Sequence, residues 1–490
     1  MIRLLNDIDQ QNLKKWSYSV QDRSITTRIL SPWWNLIVQY IPDYVAPNTL
    51  SLSGLVMIVF SYHITYLYAH LFPKLVALSS ALLIFGYQTV DAIDGKHARI
   101  TKNSSPLGEL FDHACDSIGT IFIILTVAHH LGVTDADTLF YLTQGGLFLF
   151  LMEHLQAFRT RTVNFSEYTG PGEIIMGCIT ILLYKGVTGW SLIPWSLIDP
   201  KWVHNAIILL YWVCYIYSFA LIWYPYIFPY TSGTVDINEI PKNDHFGTYF
   251  GLSACLSMRL FNGVLLYFGM IGDWTLQDVI AHALVLSVII SDMIVAKMAN
   301  REFHSIVVVG SMLTMFNHDL FTFALAGSYF FRIFYEICQS QRLFLFTPAK
   351  NVYICGVFDL THFGHMRHFV KAAELGNRLI VGVCSDEAVE SYKRKPTMTM
   401  TERTTTVGLC GIVSEVISDA PLVTTKEFIE KHNIHVVGCS SEYDDESDIY
   451  YSDPRKMGIL KVIPRVEGVS TSDIRKRVAE DVKRDSKKTQ

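Results

Sequence analysis

Charge is scarce in this chain of 490 residues: Asp, Glu, Lys and Arg make up only 17 % of it. An ordinary soluble domain carries about 25 %, so a wholly water-solvated enzyme of this length is excluded. The shortage is local. Residues 1–348 hold 43 charged side chains and residues 349–490 hold 42, or about 12 % and about 30 % of each part. The first part therefore reads as membrane-embedded and the second as water-soluble. Cysteine pairs at metal-binding spacing are also missing. Nine cysteines are scattered with no CxxC among them, which argues against a disulfide framework or structural zinc and for a reducing compartment. A net charge of −5 gives no sign of a nucleic-acid partner, and none is expected. The opening MIRLLNDIDQQNLKKW lacks the apolar core of a cleaved signal peptide, so insertion is expected to rest on an internal helix. Tryptophan stops at Trp274, leaving the soluble part with none.

What is present begins with apolar runs from residue 50 to 338. Each approaches the roughly 20 residues that cross a bilayer, giving about eight to ten crossings. Ahead of them, Ile25–Val45 mixes Trp33, Trp34, Tyr40 and Tyr44 with Arg28 and Asp43, the composition of a helix lying in the interface. His282, Asp292, His318 and Asp319 in the later runs read as loop-facing. Beyond residue 350 short apolar strands alternate with helical segments. Strands are expected at Val352–Val357, Leu379–Cys384, Glu415–Ser418, His435–Cys439 and Leu460–Pro464, with helices between them and at Ser472–Ala479. This alternation predicts right-handed crossovers and a Rossmann-like parallel sheet. The final KRDSKKTQ reads as a solvated, disordered tail.

The segment DAIDGKHARITKNSSPLGELFDHACD sets four carboxylates at the border of apolar runs. Asp91 and Asp94 are i,i+3, and Asp112 and Asp116 are i,i+4, so each pair shares a helix face. Four acids beside hydrocarbon are costly without positive charge, and Mg²⁺ or Mn²⁺ suits hard oxygen ligands. Two such ions would grip a pyrophosphate for in-line displacement. Gly95 and Gly108 leave room for a nucleotide, and Arg99 can pair with phosphate. An attacking lipid hydroxyl needs a base; Asp116 is the first choice and His113 the second.

With Ala98, these residues fill every fixed position of DxxDGxxARx8Gx3Dx3D, and the segment resembles the CDP-alcohol phosphotransferase family. The flanks SSPLGELFDHACDS and VAPNTLSLSG, which contains Asn48, resemble the eukaryotic choline/ethanolamine phosphotransferases. The resemblance implies that Asp91, Asp94 and Asp112 hold metal, that Asp116 completes the site or takes a proton, and that Asn48, Gly95, Ala98, Arg99 and Gly108 contact the CDP-alcohol. It also implies diacylglycerol as acceptor and a homodimer.

VYICGVFDLTHFGHMRHF follows a strand and opens a helix, with His362 and His365 flanking Gly364. Glycine there permits a phosphate to approach a helix N-terminus, where two imidazoles can donate to a triphosphate. A second motif, RVEGVSTSDIRKR, lies about a hundred residues on. Together they resemble the choline- and ethanolamine-phosphate cytidylyltransferases. That resemblance implies phosphate binding by His362 and His365, and a steadying role for Lys393. It further implies CTP contacts from Gly356, Phe358, Asp359, Gly364, Arg465, Ser470, Thr471, Ser472 and Arg475. The chain departs from the family at Gly411–Val416, at Leu422 where phosphocholine enzymes carry tryptophan, and at Cys439–Ser441.

The expected layout is then an interfacial segment at 1–45, a membrane phosphotransferase domain at 46–338, a linker at 339–349, a cytidylyltransferase domain at 350–482 and a tail at 483–490. One part would make a CDP-alcohol from CTP and phosphoethanolamine or phosphocholine, and the other would transfer the phosphoalcohol to diacylglycerol. Without tryptophan to cage a quaternary ammonium, the balance leans toward ethanolamine. CTP and the basic residues Lys96, His97, Arg99 and Lys102 set both sites on the cytosolic face of an endoplasmic reticulum or Golgi membrane. Two alternatives stay open: a non-catalytic CTP- or CDP-alcohol-binding regulatory domain, and another headgroup such as aminoethylphosphonate. A transporter would explain neither motif.

Overall fold

The computed structural model describes residues 3–168, 170–194, 197–227, 245–270, 274–314, 319–464 and 470–488. The chain divides into two compact units, Met1–Ile100 with Ser104–Ser340 and Thr101–Asn103 with Gln341–Gln490.

The larger unit is helical. It opens with α1 (Asp7–Lys14), β1 (Val20–Asp22) and α2 (Ile25–Ile37). α2 covers most of the segment expected at the interface. Ile29, Trp33 and Leu36 are exposed along it, whereas Trp34 is buried, the two-sided distribution of an interfacial helix. There follow α3 (Pro47–Tyr68), α4 (Pro73–Ile100), α5 (Pro106–Leu131), α6 (Ala136–Thr160), β2 (Val163–Phe165) and α7 (Pro171–Thr188). Then come α8 (Pro200–Ile227), α9 (Phe246–Tyr267), α10 (Leu276–Ala299), α11 (Ser305–Leu313) and α12 (Asp319–Gln341). Proline opens α3 and α5 at a position whose N–H has no helical partner. Gly132 closes α5 in the left-handed region, φ 88°, a conformation a Cβ disfavours.

Among the described residues, seven helices are long and apolar enough to cross a membrane: α3, α4, α5, α8, α9, α10 and α12. α6 and α7 are helical without being among the seven, and the adjoining runs at 305–337 resolve into short α11 and long α12. The short parallel pairing of β1 with β2 has no alternating apolar pattern to announce it.

His282 and Asp292 are buried on α10 and do not face loops. Arg259 Nη1 lies 2.8 Å from His282 Nδ1. Asp292 pairs with Arg301 at 2.6 Å and accepts from His304 N and Tyr329 Oη. Polar groups in a bundle are held by one another when no water reaches them. Asp319 starts α12, and His318 lies outside the described residues.

The smaller unit is the expected parallel sheet. Its strands are β3 (Asn351–Gly356), β4 (Arg378–Val383), β5 (Glu415–Ser418), β6 (Val436–Ser440) and β7 (Leu460–Ile463), in spatial order β5-β4-β3-β6-β7 and all parallel. Its crossovers contain α13 (Phe363–Ala373), α14 (Asp386–Glu390), α15 (Met400–Gly408), α16 (Lys426–Lys431) and α17 (Ser452–Lys456). Val352, Ile354, Val381 and Phe369 pack on one face, Tyr353, Ile380, Val437 and Ile429 on the other, so β3 is buried on both sides. Strand order reverses between β3 and β6, and ligands of such sheets bind at the carboxyl ends beside that point. The chain closes with α18 (Thr471–Lys488), so the tail from 483 is helical to Lys488. Its alternating acids and bases explain the difference; Arg484 pairs with Asp481 at 3.7 Å, one helical turn apart.

Candidate functional site

In the membrane-type unit α4 delivers Asp91 and Asp94 one turn apart, and α5 delivers Asp112 and Asp116 one turn apart. One carboxylate oxygen each from Asp91, Asp112 and Asp116 lie within 4.8 Å of one another, all part-buried. Asp112 Oδ1 is buried with no hydrogen-bond partner. Three acids converging on an unsatisfied acceptor fit a divalent cation, which supplies the missing charge and the missing partner together. Asp94 is not one of the three; its carboxylate accepts from Ser51 Oγ on α3 and lies within hydrogen-bond reach of Asp112.

Around the cluster, Tyr87 Oη donates to Asp116 Oδ1 at 2.8 Å. A Cβ on Gly108 would lie 3.7 Å from Asn48 Oδ1, and one on Gly95 would lie 3.6 Å from the Arg99 guanidinium, so Asn48, Gly95, Arg99 and Gly108 line neighbouring helix faces. Ala98 is half-buried and Arg99 exposed. His113 is buried, with its ring edge-on to His154, centroids 4.9 Å apart. Among the described residues no hydrogen bond to a His113 ring nitrogen is present. Beneath the site, Glu109 accepts from Trp16 Nε1 at 2.5 Å and pairs with Lys297.

In the smaller unit the loop leaving β3 is tightly wound. Phe358 and Leu360 take positive φ, 51° and 46°, a cost that non-glycine residues carry mainly at functional loops. A Cβ on Gly356 would come 2.8 Å from Phe358 Cζ, so glycine there lets the Phe358 ring fold back onto its own strand. His362 caps α13: its Nδ1 accepts from Gly364 N at 3.1 Å, and His365 Nδ1 accepts from His362 N at 3.4 Å. An accepting Nδ1 carries no proton, so both neutral rings keep theirs on Nε2. The rings stack with centroids 4.0 Å apart. Burial and the neighbouring His362 and His368 push His365 down to about 4, and burial also lowers His362. Two neutral N–H donors thus stand at a helix N-terminus.

The second motif reaches the first. Thr471 Oγ1 donates to Asp359 O at 3.1 Å and lies 3.5 Å from His362 Nε2. Ser470 caps α18 through Asp473. Ser472 and Arg475 are exposed on that helix's first turns, and Arg465 lies outside the described residues. The Asp359 carboxylate accepts from Thr397 N and Met398 N, each at 3.0 Å, so it positions a loop. Lys393 is exposed, its Nζ 5.3 Å from the Tyr392 ring centroid.

Tyr87, Ser51 and His154 escaped sequence reasoning. Tyr87 precedes Asp91 by one helical turn, a spacing that marks a shared face; Ser51 and His154 carry no such signal. Arg403 is fully buried and donates to Val357 O, Cys384 O, Met398 O and the Asp386 carboxylate. It staples the loop before the histidines to the end of β4.

The structure thus holds a carboxylate cluster in a helical membrane-type unit and a helix-capping histidine pair on a parallel sheet. Residues 44–225 match the CDP-alcohol phosphatidyltransferase family, and residues 353–477 match the cytidylyltransferase-like family. Cholinephosphotransferase 1 of Gallus gallus is 38 % identical over 194 residues, covering 38 % of this chain and 56 % of its own. Choline/ethanolaminephosphotransferase 1 of Saccharomyces cerevisiae is 34 % identical over 189 residues, covering 37 % and 48 %. The chain thus spans about half the length of the curated relatives it matches. The crystal structure of a lipopolysaccharide core biosynthesis protein from Thermoplasma volcanium aligns at 22 % identity and a TM-score of 0.22, over 25 % of this chain and 99 % of its own.

Proposed function

We propose that this protein makes phospholipid in two steps. Its smaller unit joins CTP to phosphoethanolamine or phosphocholine, releasing pyrophosphate. Its membrane unit transfers the phosphoalcohol from the resulting CDP-alcohol to diacylglycerol, releasing CMP. The observation that carries this reading is the presence in one chain of the Asp91–Asp112–Asp116 cluster and the His362–His365 cap, since the product of one reaction is the substrate of the other. Substrates of this kind place the work on the cytosolic face of an endoplasmic reticulum or Golgi membrane.

In the membrane unit Asp91, Asp112 and Asp116 would hold a divalent cation, Mg²⁺ or Mn²⁺, whose charge neutralises a pyrophosphate. Asp94, tied to Ser51, orients the helix face from which Asp91 projects. Proton removal from the lipid hydroxyl is assigned to His113 in preference to Asp116. A carboxylate that neutralises a cation and accepts from Tyr87 is a weak base, whereas the neighbouring imidazole is uncommitted. In the smaller unit His362 and His365 donate from Nε2 to the phosphates of CTP and to charge developing at the α-phosphorus. Thr471 joins them from α18, and Lys393 neutralises the incoming phosphate. Tyr443 lies 6.2 Å from Tyr450 and 5.7 Å from Tyr451, and Tyr392 lies 6.2 Å from Tyr450, between ring centroids. These four tyrosines supply aromatic faces for an ammonium headgroup where tryptophan is lacking.

Purified full-length protein is incubated with CTP, Mg²⁺ and phosphoethanolamine or phosphocholine, with and without diacylglycerol. Pyrophosphate and CDP-alcohol are expected without the lipid, and CMP with phospholipid once it is added. CTP binding with no pyrophosphate from either alcohol would leave the smaller unit as a sensor. Absence of transfer from supplied CDP-alcohol would remove the membrane assignment.

A further inference from the structure

Two thiols that this chemistry leaves unused meet beside the histidine loop. Cys355 is the penultimate residue of β3 and Cys384 follows β4 directly. Their Sγ atoms are 3.4 Å apart. The register explains the contact. Cys355 stands opposite Gly382, and Cys384 N donates to Gly356 O, so Cys384 lies two residues beyond its partner's opposite number on the same sheet face. Gly382 presents no side chain between them, and a Cβ there would come 2.3 Å from Tyr353 Oη, so the gap stays clear. A disulfide requires about 2.05 Å, a closure of roughly 1.3 Å from the present contact.

We propose that Cys355 and Cys384 form a modification site, a dithiol that a peroxide converts reversibly to a disulfide. The Cys384 thiolate attacks one peroxide oxygen, the O–O bond breaks, and hydroxide leaves to become water on taking the Cys355 proton. Cys355 sulfur then attacks the sulfenic sulfur, the S–S bond forms, and the departing hydroxide leaves as water with a proton from solvent. Two sulfurs are oxidised, one peroxide is reduced, and two waters result. The roles follow from the surroundings: the hydrogen bond from the Cys355 thiol and the nearby Arg403 and Lys393 hold the Cys384 thiol below its usual range. The same hydrogen bond and burial push Cys355 up, so Cys384 is the more readily ionised of the two thiols and Cys355 its protonated resolving partner.

Bridging these sulfurs moves the loop. Cys384 O accepts from Arg403, whose other donors hold Val357 O and Asp386. Drawing Cys384 toward β3 therefore shifts the segment that carries Phe358 to His362. That consequence for activity rests on the CTP reading above; formation of the bridge does not.

Full-length protein in detergent is treated with hydrogen peroxide, its free thiols are blocked with N-ethylmaleimide, and its peptides are mapped by mass. The expected product is a Cys355–Cys384 crosslink lighter by two hydrogens, absent after dithiothreitol. In Cys355→Ser, Cys384 is expected to give a dimedone adduct. Pyrophosphate release should fall at least tenfold on oxidation and return on reduction, and Cys384→Ser should be indifferent to peroxide. Recovery of both cysteines as maleimide adducts after oxidation overturns the site. A crosslink with unchanged turnover overturns its control of the loop, and no CTP turnover in reduced protein overturns the catalytic reading while the peptide map still decides the bridge.

Discussion

The Tyr87 hydroxyl donates to Asp116 Oδ1 from four residues ahead of Asp91, and so fixes one oxygen of the cluster from behind. Groups that orient metal ligands in this way typically change metal affinity or activity by roughly 10- to 100-fold when removed. Tyr87→Phe is therefore expected to raise the Mg²⁺ concentration for half-maximal transfer by about tenfold, while the KM for CDP-alcohol changes little. A metal titration of transfer from supplied CDP-alcohol checks this. At the other site, His365 titrates near 4 in the fold, against an ordinary value near 6.5. Its neutral form is favoured by folding, so its contribution is complete above pH 6.5 and is lost as pH falls from 6.5 toward 4. Amide exchange of β3 and α13 in the full chain should accelerate over that window. His365→Asn, which keeps a cap acceptor without an imidazole, should flatten the dependence.

At the scale of elements, α3 and α4 pack closely because Gly54 faces Tyr87: a Cβ at position 54 would come 3.0 Å from Tyr87 Cδ2. Small residues let membrane helices approach in this way. Gly54→Ala is expected to displace the Tyr87 ring and lower transfer by about tenfold through the same hydrogen bond, with pyrophosphate release from CTP unchanged; parallel assays of the two reactions test it. The elements themselves were largely legible. Glu415–Ser418 is a strand over the predicted residues, and β3, β4, β6 and β7 lie within a residue of expectation at their starts, because parallel strands buried on both faces read as unbroken apolar runs. Membrane helices were less legible. Apolar runs show that a segment is buried, and say little about where one helix stops; at 305–337 two runs became a short helix and a long one. At the cluster, spacing paired Asp91 with Asp94 and Asp112 with Asp116 and grouped all four. It could not place Asp94 on Ser51, because which side of α4 meets α3 is decided by packing.

Taken whole, the molecule carries two sites built on different solvents and different charges. Asp112→Asn removes one of three converging carboxylates and should abolish transfer from supplied CDP-alcohol, leaving CTP consumption intact. His365→Ala should do the reverse, cutting pyrophosphate release by roughly 10²–10³, the usual loss for one preorganised donor. Assaying both variants for both reactions is the measurement, and a loss of both activities in either variant would contradict independence. The capping geometry of His362 and His365 reaches further than the site. Protonating either ring would place a hydrogen on the very Nδ1 that accepts from the backbone, uncapping α13, so the anionic ligand is met without proton uptake. Nucleotide capture should then be decoupled from the acidity of its surroundings. The heat of CTP binding measured by calorimetry at pH 7 with excess Mg²⁺ should be the same in PIPES and in Tris, whose ionisation enthalpies differ widely.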